Sequence, residues 1–210
     1  MVGLGIFGLN LVRNLFESGV EVIAVDKLKE PVQQVRDWAT KAIVADGTDP
    51  EVMEAIGLGE DDVVVVSFGD DLAASTLITL HLGKMKVKEI IVKATCEDHK
   101  MILEKVGATE VIIPEKIVAE KIAKGIVSPN VLDYIPLSEE YMIGEIAPPA
   151  EFTGKSIGEL QLRNRYHLEV IAVRDTLTDK IRMIPPAQFI IKDSDVLVVI
   201  GREDDIEQLK

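Results

Sequence analysis

The chain has 210 residues, enough to bury one or two hydrophobic cores. With 47% hydrophobic and 28% charged residues it has the balance of a packed globular protein, which excludes long disorder. The net charge of −13 is spread over both halves, so neither carries the basic excess of a phosphate-backbone reader or anionic-membrane binder, and nucleic acid is excluded as a partner. No apolar run reaches the length of a transmembrane helix and no signal-peptide pattern opens the chain. A single cysteine, Cys96, cannot form an internal disulfide, which fits a reducing compartment; the chain reads as cytosolic.

Gly3, Gly5 and Gly8 form a GxGxxG pattern, followed directly by a helical pattern through Leu11, Val12, Leu15 and Phe16. In a nucleotide cradle the first glycine makes the tight turn. The second lets the backbone approach a phosphate, and the third lets the helix lie close to the sheet. Free amides at the helix start, at the positive end of its dipole, then hold the phosphate. The context needed is a strand before, a helix after and an acidic residue about twenty positions on. The run Glu21–Val25 is β-rich and ends at Asp26, whose carboxylate can accept bonds from both ribose hydroxyls and repels a 2′-phosphate. Only Met1 and Val2 precede Gly3, too few for a central strand, so the reading expects the sequence to start mid-strand.

Pro31 marks a second helix, with Val32, Val35 and Trp38 on its buried face. A short strand over 41–44 runs to Asp46, Gly47 and Thr48, at the strand edge where open α/β sheets place ligands. Thr48 or Asp49 could equally cap the helix that Pro50 opens. The valine run 63–66 is the clearest buried parallel strand, followed by the loop Ser67–Asp71 and a helix over 72–84. A strand over 87–93, a helix over 98–106 and a strand over 110–113 follow, an alternation that predicts a Rossmann-like, doubly wound parallel sheet. The helix expected over 116–127 carries Ile117, Val118, Ile122, Ile126 and Val127, more apolar surface than its own domain can cover; a partner subunit is one solution. From about Leu137 the pattern becomes short β-rich pieces, at 141–147, 170–174, 180–184 and 196–200, with a terminal helix from Glu203. This predicts a small α+β domain, in which Ser156 is a capping-box candidate. The expected domains are 1–130 and 136–210.

The order of these motifs resembles the RCK family, the regulators of potassium conductance that include KtrA- and TrkA-type subunits of bacterial potassium uptake. The resemblance runs through the glycine pattern, Val25-Asp26, Ala45–Thr48, Val66–Asp71, His99 to Ala108 and Ile113–Glu115. In the second part it runs through Phe152–Leu160, Val170–Arg174 and Asp193–Gly201. It implies a ligand-gated ring rather than an enzyme: a homodimer formed through the helix after the sixth strand, assembling into an octameric ring under an integral-membrane potassium-translocating subunit. AMP, ADP, ATP or NAD(H) would bind in the first domain. Gly3, Gly5, Ile6, Phe7 and Gly8 would then face the phosphates, and Asp26 would hold the ribose with Lys27 beside it. Asp46, Gly47 and Thr48 would border the adenine, and Ser67, Phe68 and Gly69 would close the far side. Glu115 matches a position that can face a divalent cation at the dimer interface. KtrA-type members carry an arginine after the second glycine; here that residue is Ile6, which has no charge for a terminal phosphate and favours AMP, ADP or NAD(H) over ATP. In some relatives the second domain binds a cyclic dinucleotide, a role Arg163, Asn164 and Arg165 could fill or could leave as a solvated loop.

The alternative that the same cradle serves is an NAD-dependent oxidoreductase, which needs a proton donor or acceptor at the nicotinamide. Tyr134, Tyr141 and Tyr166 are followed four residues on by Ser138, Glu145 and Val170, so no Tyr-x-x-x-Lys occurs. His81 reads as a packing or surface residue, His99 as a helix cap and His167 as isolated, and with Cys96 they lack metal-ligand spacing. The acidic runs 60–62 and 203–205 read as solvated faces or helix starts.

Overall fold

The computed structural model describes residues 1–59, 61–69, 71–138 and 140–209. The chain divides into two compact units, Met1–Ile117 and Val118–Lys210, with the boundary inside a helix.

In the first unit, strands β1 (Ile23–Asp26), β2 (Lys41–Val44), β3 (Val63–Val66), β4 (Glu89–Lys93) and β5 (Glu110–Ile112) alternate with helices. The helices are α1 (Ile6–Glu17), α2 (Lys29–Gln34), α3 (Pro50–Ile56), α4 (Leu72–Lys84), α5 (Glu97–Val106) and α6 (Pro114–Val127). All strand pairs are parallel: β1 with β2, and β3 with β4 and then β5. Val2 joins the two groups, bridging Val25 on one side and Val66 on the other. Its amide donates to the Val65 carbonyl and its carbonyl accepts from the Ser67 amide, both at 2.8 Å. The order across the sheet is therefore β2-β1-Val2-β3-β4-β5, that of a Rossmann-like fold. A two-residue segment thus takes the central position that its length argued against, because neighbours on both sides satisfy its backbone.

Successive strand residues face opposite sides of a sheet. Ala24 packs with Val12, Val32 and Val35 from α1 and α2. Its neighbour Val25 joins a larger core with Met53, Ile78, Leu82 and Leu103 from α3, α4 and α5. Burial is complete at Ala24 and Val25 of β1, but Val63 is 48% exposed and, with Val65, Ile91 and Ile112 of the neighbouring strands and Phe7, Leu11 and Leu15 of α1, lines an apolar cavity of about 590 Å³.

The second unit is an antiparallel sheet of β6 (Val131–Pro136), β7 (Tyr141–Ile146), β8 (Glu169–Asp175), β9 (Lys180–Met183) and β10 (Asp195–Arg202), in the order β6-β7-β10-β8-β9. Short helices α7 (Ile157–Leu160), α8 (Leu162–Tyr166) and α9 (Glu203–Glu207) accompany it. Its core gathers Phe152, Leu160, Leu168, Leu197 and Val199. Ser156 and Glu159 form the complete capping box at the start of α7. Strand β6 lies in a stretch that the sequence pattern leaves unassigned between its two domains.

Candidate functional site

The site lies at the carboxyl edge of the parallel sheet and begins with the glycine loop. Gly3 has φ +91°, and a Cβ on it would stand 2.3 Å from the Ser67 carbonyl oxygen. A Cβ on Gly8 would meet the Gly3 carbonyl oxygen at 2.2 Å. Both positions are closed to any side chain by backbone. Gly5 is different: it is the N-cap of α1, at φ −68° and ψ −171°, and nothing lies within 4 Å of a Cβ built there. The first amide of the helix to find an intrahelical acceptor is Leu9, which donates to Gly5. The amides of Ile6, Phe7 and Gly8 precede it and have no acceptor within the helix, the condition for holding an anion. No side chain caps this end and its first turn contains no acidic residue.

Asp26 ends β1 beside this loop. One carboxylate oxygen accepts from the Leu4 amide at 2.7 Å and the other from the Leu28 amide at 2.8 Å. Each oxygen keeps a second acceptor position, so the carboxylate is oriented without being used up. Asp46, after β2, accepts from the Thr48 amide at 2.9 Å and the Thr48 hydroxyl at 2.7 Å. Those two bonds, the hydroxyl's first, hold its carboxyl below the ordinary carboxylate value, with a smaller contribution from Lys27. The helix cap that could have used Thr48 falls to Asp49, whose side chain accepts from Glu51 with Pro50 at the first helical position. Thr48 is thereby left to Asp46.

Lys27, Asp46, Gly47, Thr48 and Phe68 share a cleft of about 280 Å³ whose far wall is Asp71, Ala73, Ala74 and Leu77 from the start of α4. Ser67 is buried behind it, tied to Val2, and Gly69 is exposed in the loop. Asp70 of the same loop lies outside the described residues, as does Glu60 of the first acidic run. The α4 wall was not among the sequence candidates. Its signal is the small pair Ala73-Ala74 in the first turn of a helix that follows a strand-edge loop, a cue too common to single out.

Ile6 is 85% exposed in the first turn of α1. Glu115, in the first turn of α6, accepts from the Lys93 ammonium at 2.5 Å, and that bond is the main reason its carboxyl titrates below the usual range. Among the described residues no group of three or more His, Cys, Asp and Glu could hold a metal ion. A lone carboxylate already paired with a lysine does not by itself make a cation site. His81 lies in α4, its Nδ1 buried without a hydrogen-bond partner. In the second unit Arg163 pairs with Glu169 and Arg165 lies over the Tyr166 ring. The acidic run 203–205 forms the first turn of α9, favourable there with the helix dipole.

A family model for the TrkA-N domain matches residues 1–114, and one for the TrkA-C domain matches residues 143–210. The chain belongs to that family. Over all 210 residues it is 36% identical to the Ktr system potassium uptake proteins C and A of Bacillus subtilis (strain 168), covering 94% of each. Its fold is that of the GsuK RCK domain (TM-score 0.67, 19% identity, 99% of this chain and 46% of that one). The GsuK channel bound to NAD is similar to the same degree (TM-score 0.66, 18% identity, 99% of this chain and 38% of that one). The chain spans less than half of either GsuK chain, and at such identities the likeness shows the fold alone. No helix among the described residues is long and apolar enough to cross a membrane.

Proposed function

We propose that this RCK-family chain is the cytosolic gating subunit of a potassium channel or transporter, switched by an adenine nucleotide in the cleft described above. The observation that carries this is the open approach before Gly5, flanked by the free first-turn amides of α1 and the oriented Asp26 carboxylate. The phosphates lie against Gly3, Gly5, Ile6, Phe7 and Gly8, and the ribose against Asp26 with Lys27 beside it. The adenine lies between Asp46, Gly47 and Thr48 on one side and Ser67, Phe68 and Gly69 on the other. With the aliphatic Ile6 at the phosphate end, AMP, ADP and NAD(H) are preferred over ATP. Glu115 takes no part as a protein-only cation ligand; a divalent ion there needs phosphate oxygens or a second subunit, and must displace Lys93.

The functional units are 1–130, which includes α6, and 136–210. Helix α6 has no buried residue, and its apolar positions Ile117, Val118, Ile122, Ile126 and Val127 are all exposed. Such a stripe is covered by the same stripe of a second copy, giving a homodimer from which an octameric ring is built on the inner face of the cell membrane, against the pore subunit. Nucleotide acts by population shift, and does so only by binding one ring state better than the other.

The test is thermal unfolding with AMP, ADP, ATP, NAD and NADH, with and without magnesium. A ligand bound only by the folded state adds about 2.7 kcal/mol at a hundred times its dissociation constant. Stabilisation by adenine nucleotides with ATP weakest supports the reading. Turnover of NADH with a substrate panel would replace it by the oxidoreductase, and no stabilisation by any of the five would refute the site.

A further inference from the structure

Between α4 and α5 lies a buried polar chain that the nucleotide reading does not use. His99, in the first turn of α5, is 1% exposed, and Ser75, in the first turn of α4, is fully buried. The His99 Nε2 lies 3.0 Å from the Ser75 hydroxyl, and the Thr95 amide donates to the His99 Nδ1 at 3.4 Å. Because Nδ1 is an acceptor, the proton of the neutral ring sits on Nε2 and is donated to Ser75. The Ser75 hydroxyl in turn donates to the Leu72 carbonyl at 3.1 Å, inside the turn whose outer side supplies Asp71, Ala73 and Ala74 to the cleft. The chain runs in one direction, and each group has one role in it.

We propose that His99 is a positioning residue for the nucleotide cleft, holding the first turn of α4 in place through Ser75 only while its ring is neutral. A second proton on the ring would sit on Nδ1, against the Thr95 N–H, and turn an accepted bond into a repulsion between two donors. The Nε2–H would still face Ser75, so the ring would relieve the repulsion only by shifting away from Thr95, and that shift would carry Ser75 and the turn it braces with it. The ionisable groups on the packed elements are Asp71, His81 and Lys84 on α4, Glu89 and Lys93 on β4, and Glu97, Asp98, Lys100, Glu104 and Lys105 beside His99 on α5. Of these, Asp71 caps Ala74, Lys93 holds Glu115 and Glu97 holds Lys116. Burial is the cause that lowers the His99 pKa, with no charge acting on it, so the ring is neutral at neutral pH and resists protonation until the turn gives way. The inference rests on the nucleotide reading of the cleft for its consequence, though not for its geometry.

The experiment measures NAD affinity by calorimetry from about pH 7.5 to about pH 5.5, a window in which NAD itself does not titrate, for the wild type, His99→Gln and Ser75→Ala. Glutamine can donate to Ser75 from the same distance along the side chain and cannot take a second proton. Wild-type affinity is expected to fall about twofold or more toward the acid end of the window, the Gln variant to stay nearly flat, and Ser75→Ala to bind weakly throughout. Equal pH slopes in wild type and His99→Gln, or wild-type affinity in Ser75→Ala, would overturn the proposal. If NAD does not bind at any pH, the nucleotide reading fails separately. Hydrogen-exchange protection of the Ala74 and Ser75 amides in the ligand-free protein then decides, expected to drop toward acid in the wild type and not in His99→Gln.

Discussion

The three glycines of the first loop make different demands, and single alanines separate them. At Gly3 an alanine must hold φ +91° and place its Cβ 2.3 Å from the Ser67 carbonyl oxygen, which is backbone and cannot rotate away. The left-handed conformation costs about 1–2 kcal/mol. Moving Ser67 aside strains the two 2.8 Å bonds that seat Val2 against β3, each about 1 kcal/mol net. Together these remove about 3–4 kcal/mol from a stability that is typically about 5–15 kcal/mol. At Gly5 the backbone is extended and the space open, so an alanine costs at most about 1 kcal/mol as a poorer N-cap. Its methyl group, however, would project into the open space through which the proposed site admits a phosphate. Denaturant unfolding and NAD calorimetry on both variants should therefore give opposite results. Gly3→Ala loses much of its stability, whereas Gly5→Ala keeps its fold and loses about tenfold or more in affinity. Equal destabilisation by the two, or full NAD affinity in Gly5→Ala, would refute the assignment of roles.

Replacing Ile122 and Ile126 by glutamate should convert the proposed dimer to a monomer in sedimentation velocity while leaving far-ultraviolet dichroism unchanged, because both side chains are exposed on α6; an unchanged sedimentation coefficient would remove this helix from the interface. Thr48→Val should raise the Asp46 pKa toward 3.8 in an NMR titration, since the hydroxyl is the first cause of its depression. A carboxyl whose folded pKa is depressed stabilises above its unfolded value, so that contribution is present at neutral pH and is lost as pH falls through the acid range; a Thr48→Val titration superimposable on wild type would contradict the assignment. Phe152→Ala should cost about 3–5 kcal/mol in the second unit, because the ring is 1% exposed against Leu160 and Leu197 and 6.0 Å from the Tyr166 ring. A loss below about 1 kcal/mol would mean that this core repacks around the gap.

What the sequence made legible was whatever one strong local signal decides. The valine run 63–66 reads as a strand and is one, although Val63 stays 48% exposed, and the capping-box candidate Ser156 does open a helix with Glu159. Strand β6 failed that test. Its six residues, Val-Leu-Asp-Tyr-Ile-Pro, do not alternate cleanly and end in proline, which is tolerable because the strand lies at the sheet edge with only β7 beside it. The glycine loop, Asp26 and Asp46 were readable as candidate site residues because each ends an element with a recognisable pattern. The α4 wall and the His99–Ser75 chain were not. Their positions depend on α4 and α5 meeting across 24 residues of sequence, and a histidine near a helix start has an ordinary local explanation as a cap.

Helix α6 shows where pattern and structure together reach past the single chain. Its apolar residues are as numerous as those of a core helix, yet none is buried, while Lys121 and Lys124 are engaged with Asp133 and Glu203. A helix packed by its own domain buries a stripe at three- and four-residue spacing. Here Val118, Ile122 and Ile126 keep that spacing and stay exposed. Spacing fit for packing that stays exposed among the described residues is what motivates the proposed subunit interface. The proposed dimer would give the exposed stripe of α6 a second surface. For that reason the sedimentation experiment bears on the gating proposal as directly as nucleotide binding does: a subunit that stays monomeric has no ring whose shape a ligand could shift.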